Sequence, residues 1–363
     1  MIKFEKSWDN EMAIKLSKKA IPKNSTKPKK KIQYQKRYKN LQEYKYIDMK
    51  KRLNPSETLC ETTLEKIDCL DFDFKTYLNT SVPQHISTLS LAFLEWLIGF
   101  TEGDGCFSSK IQRGRPRLVF EIAQKDPKIL YKIRKNLGFG RIFKENRLDT
   151  ENPDLIKNYW KFSVGDKKGI QKLFILFNGN LILPKRQKQF QRWCEQAQEA
   201  NLLPSEFSLK TNSPKVSLNT GWLSGLIEAE GCFYTDLRLP KIGVRENAWL
   251  SKVFEISQKD EEGEKQVLEE IGRLLESKAK VRGDNRDDQM WRLSVGSMYS
   301  HKILVNYLDR FPLQGEKFIV YRNWWRVHLA ILQKAHLDPI RLPKVIHLCQ
   351  SINNKNKKKQ LVE

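Results

Sequence analysis

Leu97-Ile98-Gly99-Phe100-Thr101-Glu102-Gly103-Asp104-Gly105 and Leu223-Ser224-Gly225-Leu226-Ile227-Glu228-Ala229-Glu230-Gly231 are two versions of one stretch. Each is an apolar run with small residues four apart, Gly99 and Gly103 in the first, Gly225 and Ala229 in the second, and each ends in acid-Gly-Cys-Phe. Residues at that spacing share one face of a helix, so each run reads as a helix with a stripe lacking side-chain bulk. A second backbone can approach closely along such a stripe. If the two stripes face each other, the helix ends meet and Asp104 is brought beside Glu230. An Asp-Gly after an apolar run is commonly only a helix stop or a turn; the recurrence of the whole pattern is what argues for a function. Glu102 and Glu228, two residues before each acid, project elsewhere on their helices and read as structural caps or salt-bridge partners.

The repetition extends beyond the helices. Val119-Phe120-Glu121-Ile122-Ala123-Gln124-Lys125-Asp126 recurs as Val253-Phe254-Glu255-Ile256-Ser257-Gln258-Lys259-Asp260, Trp160-Lys161-Phe162-Ser163-Val164-Gly165 as Trp291-Arg292-Leu293-Ser294-Val295-Gly296, and Trp193 as Trp324. The offsets are 126 residues between the acids, 134 between Gln124 and Gln258, and 131 between the last two tryptophans. Order is kept while loop lengths drift, which is the signature of a duplicated domain; the period is far too long for a solenoid. In each copy a strand follows the acid. Phe107, Ser109 and Ile111 alternate with Ser108, Lys110 and Gln112, and Phe233, Thr235 and Leu237 with Tyr234, Asp236 and Arg238, giving one packed and one polar face. A second strand points Phe120 and Ile122, or Phe254 and Ile256, at the core. A helix is expected over 127–137 or 261–277, then strands around Arg141 and Trp160 or Lys280 and Trp291, and a closing helix carrying Trp193 or Trp324. The unit is α-β-β-α-β-β-α, an α+β fold made twice. The chain divides into a basic, partly flexible N-terminal extension (1–87), a first domain (88–203), a linker (204–216), a second domain (217–337), and a C-terminal helix with a basic tail (338–363).

With 66 Lys+Arg against 43 Asp+Glu, the 363 residues carry a formal charge of +23, for which nucleic acid is the expected partner. No long uninterrupted apolar run is present, so no membrane partner is expected. The six cysteines include no Cys-x-x-Cys pair, against a zinc ribbon or a disulfide framework. The five histidines are scattered along the chain, against a histidine-based nuclease or zinc site. Acids at Glu5, Asp9 and Glu11 stand where a secretory signal would be apolar.

Two carboxylates held together repel, and a hard divalent cation relieves the repulsion by taking oxygen ligands from both. Main-chain carbonyls at Gly103 and Ala229 can add ligands. A metal there can generate hydroxide, orient a phosphate and neutralise the leaving oxygen, which is nuclease chemistry. Gln124 and Gln258, each followed by lysine, end the second strands and read as residues near the phosphates. Lys185 or Arg186 in the first copy aligns with Lys317 in the second through the tryptophan offset, and a cation there can stabilise transition-state charge. The polar strand faces supply Ser108, Lys110, Gln112, Arg117, Arg141 and Lys161, and then Tyr234, Asp236, Arg238, Lys280, Arg282 and Arg292, a set able to lie in a major groove and read base edges.

On these residues the chain, over roughly 88–350, resembles the single-chain, two-motif members of the LAGLIDADG homing endonuclease family. The resemblance implies two four-stranded antiparallel sheets forming a saddle over DNA, with the motif helices at the interface between halves. It implies that Asp104 and Glu230 are catalytic acids binding magnesium with help from the Gly103 and Ala229 carbonyls, with Ca²⁺ or Mn²⁺ able to substitute. It makes Gln124 and Gln258 pocket residues, with Lys185 or Arg186 and Lys317 as their basic partners. The activity implied is that of a monomeric, site-specific endonuclease that cuts both strands of a long asymmetric DNA target across the minor groove, leaving short 3′ overhangs. An RNA maturase acting on its own intron, and a non-catalytic DNA-binding module, are the alternatives. The family's usual home, organelle introns, together with the Lys/Asn/Ile-rich composition, points to mitochondrion or chloroplast.

Overall fold

A computed structural model of the chain describes residues 72–80, 89–112, 115–148, 156–204, 207–244, 246–284 and 287–360. Most of the N-terminal extension lies outside the described residues. The described segment 72–80 contains a one-turn helix, α1 (Lys75–Leu78), whose Phe74 and Tyr77 are buried in the core of the first half. Asn180 ties it down, accepting from the Asp73 N–H at 2.8 Å and donating to the Asp73 carbonyl at 2.9 Å.

The first half then runs α2 (Leu91–Asp104), β1 (Gly105–Gln112), β2 (Arg115–Gln124), α3 (Lys128–Leu137), β3 (Arg141–Leu148), β4 (Ile156–Val164), α4 (Lys167–Phe177) and α5 (Pro184–Glu199). The second repeats it as α6 (Trp222–Glu230), β5 (Gly231–Arg238), β6 (Trp249–Lys259), α7 (Glu264–Leu274), β7 (Arg282–Asp284), β8 (Asp287–Val295), α8 (Met298–Arg310) and α9 (Lys317–Leu332), and adds α10 (Leu342–Gln360). The expected α+β duplication is therefore the observed one: two four-stranded antiparallel sheets, ordered β1-β2-β4-β3 and β5-β6-β8-β7. Local chemistry sets the ends. α3 stops at Gly138, whose φ of +77° a side chain would resist. Asp166 caps α4 by accepting from the Gly169 N–H at 2.8 Å.

Strand alternation sorts the residues as the period of two requires. Phe107, Phe120, Ile122 and Phe162 are buried on one face of the first sheet and Phe233, Phe254, Ile256 and Leu293 on that of the second. Trp193 and Trp324 seal the same face, each indole donating to a strand carbonyl, Ser108 at 2.9 Å and Val253 at 3.1 Å. Ile111, expected on the packed face of β1, is instead 82% exposed. Its counterpart Leu237 packs against the core of the second half, where α10 lies along β5; among the described residues the first half has no helix matched to α10. Residues 207–216 are irregular but fastened to the first half: the Asn178 amide donates to the Ser208 carbonyl and accepts from the Lys210 N–H, both at 2.8 Å.

At three matched positions the second core carries a basic side chain where the first is apolar. Leu118, Ile170 and Ala197 become Lys252, His301 and His328. The histidines, scattered in sequence, therefore meet in space: Lys252 Nζ lies 3.2 Å from the ring centre of Trp324, His301 packs edge-on to Trp324, and His328 stacks on Trp325. Burial pushes Lys252 down to about 6 and, together with Lys252, pushes both histidines down to about 4. No helix among the described residues is long and apolar enough to cross a membrane.

Candidate active site and nucleic-acid-facing sheets

The two motif helices touch backbone to backbone. A Cβ on Gly99 would fall 2.0 Å from the Trp222 carbonyl oxygen, and one on Gly225 would fall 1.9 Å from that of Trp96. Residues 99 and 225, like 96 and 222, are 126 apart, so the contact is reciprocal and the helices are related by a local two-fold. Further along, a Cβ on Gly103 would lie 2.2 Å from Ala229 Cβ and 3.1 Å from Glu230 Cγ. This places the Glu230 side chain against the residue that precedes Asp104. The acids thus end α2 and α6 five residues beyond Gly99 and Gly225, where the backbones are closest, and the strands β1 and β5 leave from those ends.

Gln124, the last residue of β2, donates from Nε2 to Asp104 Oδ2 at 2.7 Å. Its counterpart Gln258 is 2% exposed, and neither of its amide atoms hydrogen-bonds to protein. Arg186, in the first turn of α5, donates from Nε to the Glu102 carbonyl at 2.7 Å and from Nη2 to the Gly103 carbonyl at 2.8 Å. Lys317, first residue of α9, donates from Nζ to the Ile227 and Ala229 carbonyls at 2.9 and 3.0 Å. Arg186 and Lys317 are therefore the matched pair, each capping the carbonyl end of its own motif helix, where the helix dipole favours positive charge. Lys185 faces away from that end, its Nζ donating to the Lys259 carbonyl at 3.4 Å.

Glu102 and Glu228 do cap helices, and they are the helices that bring the cations. Glu102 is fully buried and its Oε1 accepts from the Ile182 and Leu183 N–H groups, both at 2.6 Å, just ahead of α5; its Oε2 accepts from the Trp222 indole. Burial pushes its carboxyl up to about 7, against those hydrogen bonds, which favour the charged form. Glu228 Oε2 accepts from the Gln314 and Gly315 N–H groups at 2.6 and 3.0 Å, just ahead of α9. Each motif helix thus fixes both its acid and the loop that aims its cation.

Strand register puts Ser108, Lys110, Arg117, Arg141 and Lys161 on the outer face of the first sheet, and Tyr234, Asp236, Arg238, Arg282 and Arg292 on that of the second; the side chain of Gln112 lies outside the described residues. Lys280 is not among them: it precedes β7, which begins only at Arg282, because this strand is shortened to three residues. Sequence reasoning missed Glu121 and Glu255. Lys161 Nζ sits 2.6 Å from Glu145 and 3.7 Å from Glu121, while Glu255 lies 3.3 Å from Arg292 Nε and accepts from Ser294 Oγ at 2.6 Å. Both acids occupy the repeated Phe-Glu-Ile strand, so the repeat itself was the available signal. They set the orientation of the central cation on each face.

A family model described as LAGLIDADG endonuclease matches residues 97–197 and again 223–328. The chain belongs to the LAGLIDADG endonuclease family. Its curated relatives include "Probable intron-encoded endonuclease 4" of Neurospora crassa, 30% identical over 269 residues, which covers 72% of this chain and 44% of that protein. Another is "Probable intron-encoded endonuclease Cox1-I1b" of Schizosaccharomyces pombe, 28% identical over 285 residues, covering 69% of this chain and 67% of that one. The chain therefore spans less than half of the Neurospora relative. Among solved structures, the I-LtrWI LAGLIDADG homing endonuclease bound to target DNA is 20% identical with a TM-score of 0.55, covering 72% of this chain and 98% of that one. The I-SmaMI LAGLIDADG homing endonuclease bound to cleaved DNA is 16% identical with a TM-score of 0.57, covering 72% and 97%. These likenesses bear out the two-sheet fold with paired motif helices.

Among the described residues no group of three or more His, Cys, Asp or Glu side chains is disposed to hold a metal. The family's motif helices offer a different donor set: two carboxylates and two main-chain carbonyls. All are hard oxygen donors, which fits Mg²⁺ or Ca²⁺ rather than a soft metal. The Gly103 and Ala229 carbonyls each accept from a cation, and a carbonyl oxygen keeps a second lone pair for an ion.

Proposed function

We propose that the chain is a magnesium-dependent, site-specific endonuclease that cuts both strands of duplex DNA. The observation that supports this most is the reciprocal glycine contact of α2 and α6, with Glu230 Cγ 3.1 Å from where a Cβ on Gly103 would stand, next to Asp104 in the chain. A divalent ion bound there would activate water and neutralise the departing oxygen. Asp104 and Glu230 would hold it, with the Gly103 and Ala229 carbonyls behind them. Gln124 fixes the Asp104 carboxylate in one orientation. Gln258, buried with unmet hydrogen bonds, is poised for a solvent molecule or phosphate oxygen, because leaving such an amide unpaired costs about 1–3 kcal/mol. Arg186 and Lys317 place positive charge where negative charge would grow on the scissile phosphates. The outer-face residues, from Ser108 to Arg141 and Tyr234 to Arg292, would contact bases and backbone, with Lys161 and Arg292 exchanging their carboxylate partners for DNA.

The reading is of a monomer, since one chain holds both motif helices. The cut falls across the minor groove with short 3′ overhangs, and an organelle intron is the proposed source, in keeping with relatives named for cox1 introns. The test is incubation with Mg²⁺ and randomised duplex DNA, followed by sequencing of cut ends. Wild type should yield one recurrent site; Asp104→Asn and Glu230→Gln should bind that site and leave it uncut. Loss of binding with loss of cutting would make the acids structural.

A further inference from the structure

The loop between β6 and α7 reads Asp260-Glu261-Glu262-Gly263-Glu264, where the first half has only Asp126-Pro127-Lys128. This acidic insertion grips the opposite half. Glu264 is fully buried; its Oε2 accepts the Glu261 and Glu262 N–H groups at 2.8 and 3.0 Å and so closes its own loop. Its Oε1 crosses the seam to accept the Lys185 N–H at 2.7 Å. Lys188 pairs with Glu262, and Lys185 Nζ reaches the Lys259 carbonyl. The contacts of Lys185 and Lys188 join the start of α5 to the end of β6, next to Gln258, and to the loop that follows it. The carboxylates acting on the Lys185 ammonium, Glu264, Glu230 and Glu261, all belong to the second half, while Arg186 opposes them. Arg186 itself turns back to α2.

The other seam is built differently. Lys132 meets the Gln314 side chain, and Ile129 packs near Gly315. The position matched to Lys185, 131 residues on, is Glu316, of opposite charge.

Resting on the nuclease reading above, we propose that Lys185, carried by the first half, is a cation of the second half's pocket, and that Glu264 is the positioning residue that delivers it there. The two cutting centres are then unlike: one has Gln124 and Arg186, the other Gln258, Lys317 and Lys185. A fixed carboxylate holding three N–H groups sets the start of α5 to within a hydrogen bond, and Lys185 adds a cation to that centre.

The experiment is strand-resolved cleavage of a plasmid carrying the selected site, each strand separately labelled, for Arg186→Met, Lys317→Met, Lys185→Met and Glu264→Gln, with the thermal midpoint of each variant. Arg186→Met and Lys317→Met should slow opposite strands. Lys185→Met should slow the strand that Lys317→Met slows, by about tenfold or more, and leave the other within about twofold. Glu264→Gln should show the same bias, more weakly. If Lys185→Met slows the Arg186 strand, both strands equally or neither, the assignment is wrong. If Glu264→Gln lowers the midpoint and slows both strands alike, Glu264 is only structural. If wild type does not cut, the nuclease reading falls and takes this assignment with it.

Discussion

Replacing Gly99 by alanine tests the helix seam. The added Cβ would sit 2.0 Å from the Trp222 carbonyl oxygen and 2.9 Å from the Leu226 nitrogen. Both obstacles are backbone, so no rotamer change relieves them. Restoring a carbon–oxygen contact of about 3.3 Å requires the helices to part by roughly 1 Å. Alanine gains about 1 kcal/mol of helix propensity over glycine. Overpacking costs about 1–3 kcal/mol at ordinary core sites, where side chains can yield. Here the whole interface must open, exposing the packing of Trp96, Phe100 and Trp222, so a net loss of about 2–4 kcal/mol is expected. Gly225→Ala should match it, with the Trp96 oxygen 1.9 Å away, whereas Gly296→Ala, with nothing within 4 Å, should be neutral. In thermal melts the first two should fall by roughly 5–10 °C. Cleavage should fall further, about 10²-fold, since a shift of roughly 1 Å at the helix ends misplaces the acids. A Gly99→Ala protein as stable as wild type would refute the backbone contact and the reasoning built on it.

Other outcomes follow from the same contacts. Lys252→Leu, which restores the residue type of the first half, should raise stability at pH 7 by up to about 5 kcal/mol. Because Lys252 titrates at about 6 when folded and near 10.5 when unfolded, wild type loses stability as pH falls from 10.5 to 6, and urea midpoints of the variant should lack that slope. His301 and His328 add a further loss as pH falls from 6.5 to 4, which the variant should keep in reduced form. Glu102, raised to about 7 by burial, acts oppositely: it makes wild type less stable as pH rises from 4.5 to 7, a trend that a urea series on Glu102→Gln should show removed. Glu228→Ala should free the loop before Lys317, slowing cleavage about tenfold or more while DNA affinity by filter binding holds. Lys161→Ala and Arg292→Ala should each weaken DNA binding and reduce the salt slope by about 1 if they meet phosphate.

The fold was legible because its two periods were. Stripes such as Gly99 and Gly103 need a partner backbone, and strands such as Val119-Phe120-Glu121-Ile122 sort their faces by alternation. The acids, the glutamines and the pairing of a basic residue with Lys317 came from the same repeat. What stayed hidden depended on long-range partners. Nothing near Glu102 in sequence shows that it holds a loop some 80 residues on, and Lys252 reads as surface until His301 and His328 arrive beside it. Choosing between Lys185 and Arg186 needed the direction each side chain takes from adjacent positions on α5. That Lys280 falls outside β7 was not legible because the end of a strand is set by pairing, not by composition.

The most direct measurement is diffraction from the DNA-bound protein soaked with Mn²⁺, reading anomalous density at the ends of α2 and α6. Peaks about 2.0–2.6 Å from carboxylate oxygens of both Asp104 and Glu230, beside the phosphates, are the expected result. Ions bound elsewhere, or the two carboxylates turned away from each other and from the DNA, would contradict it.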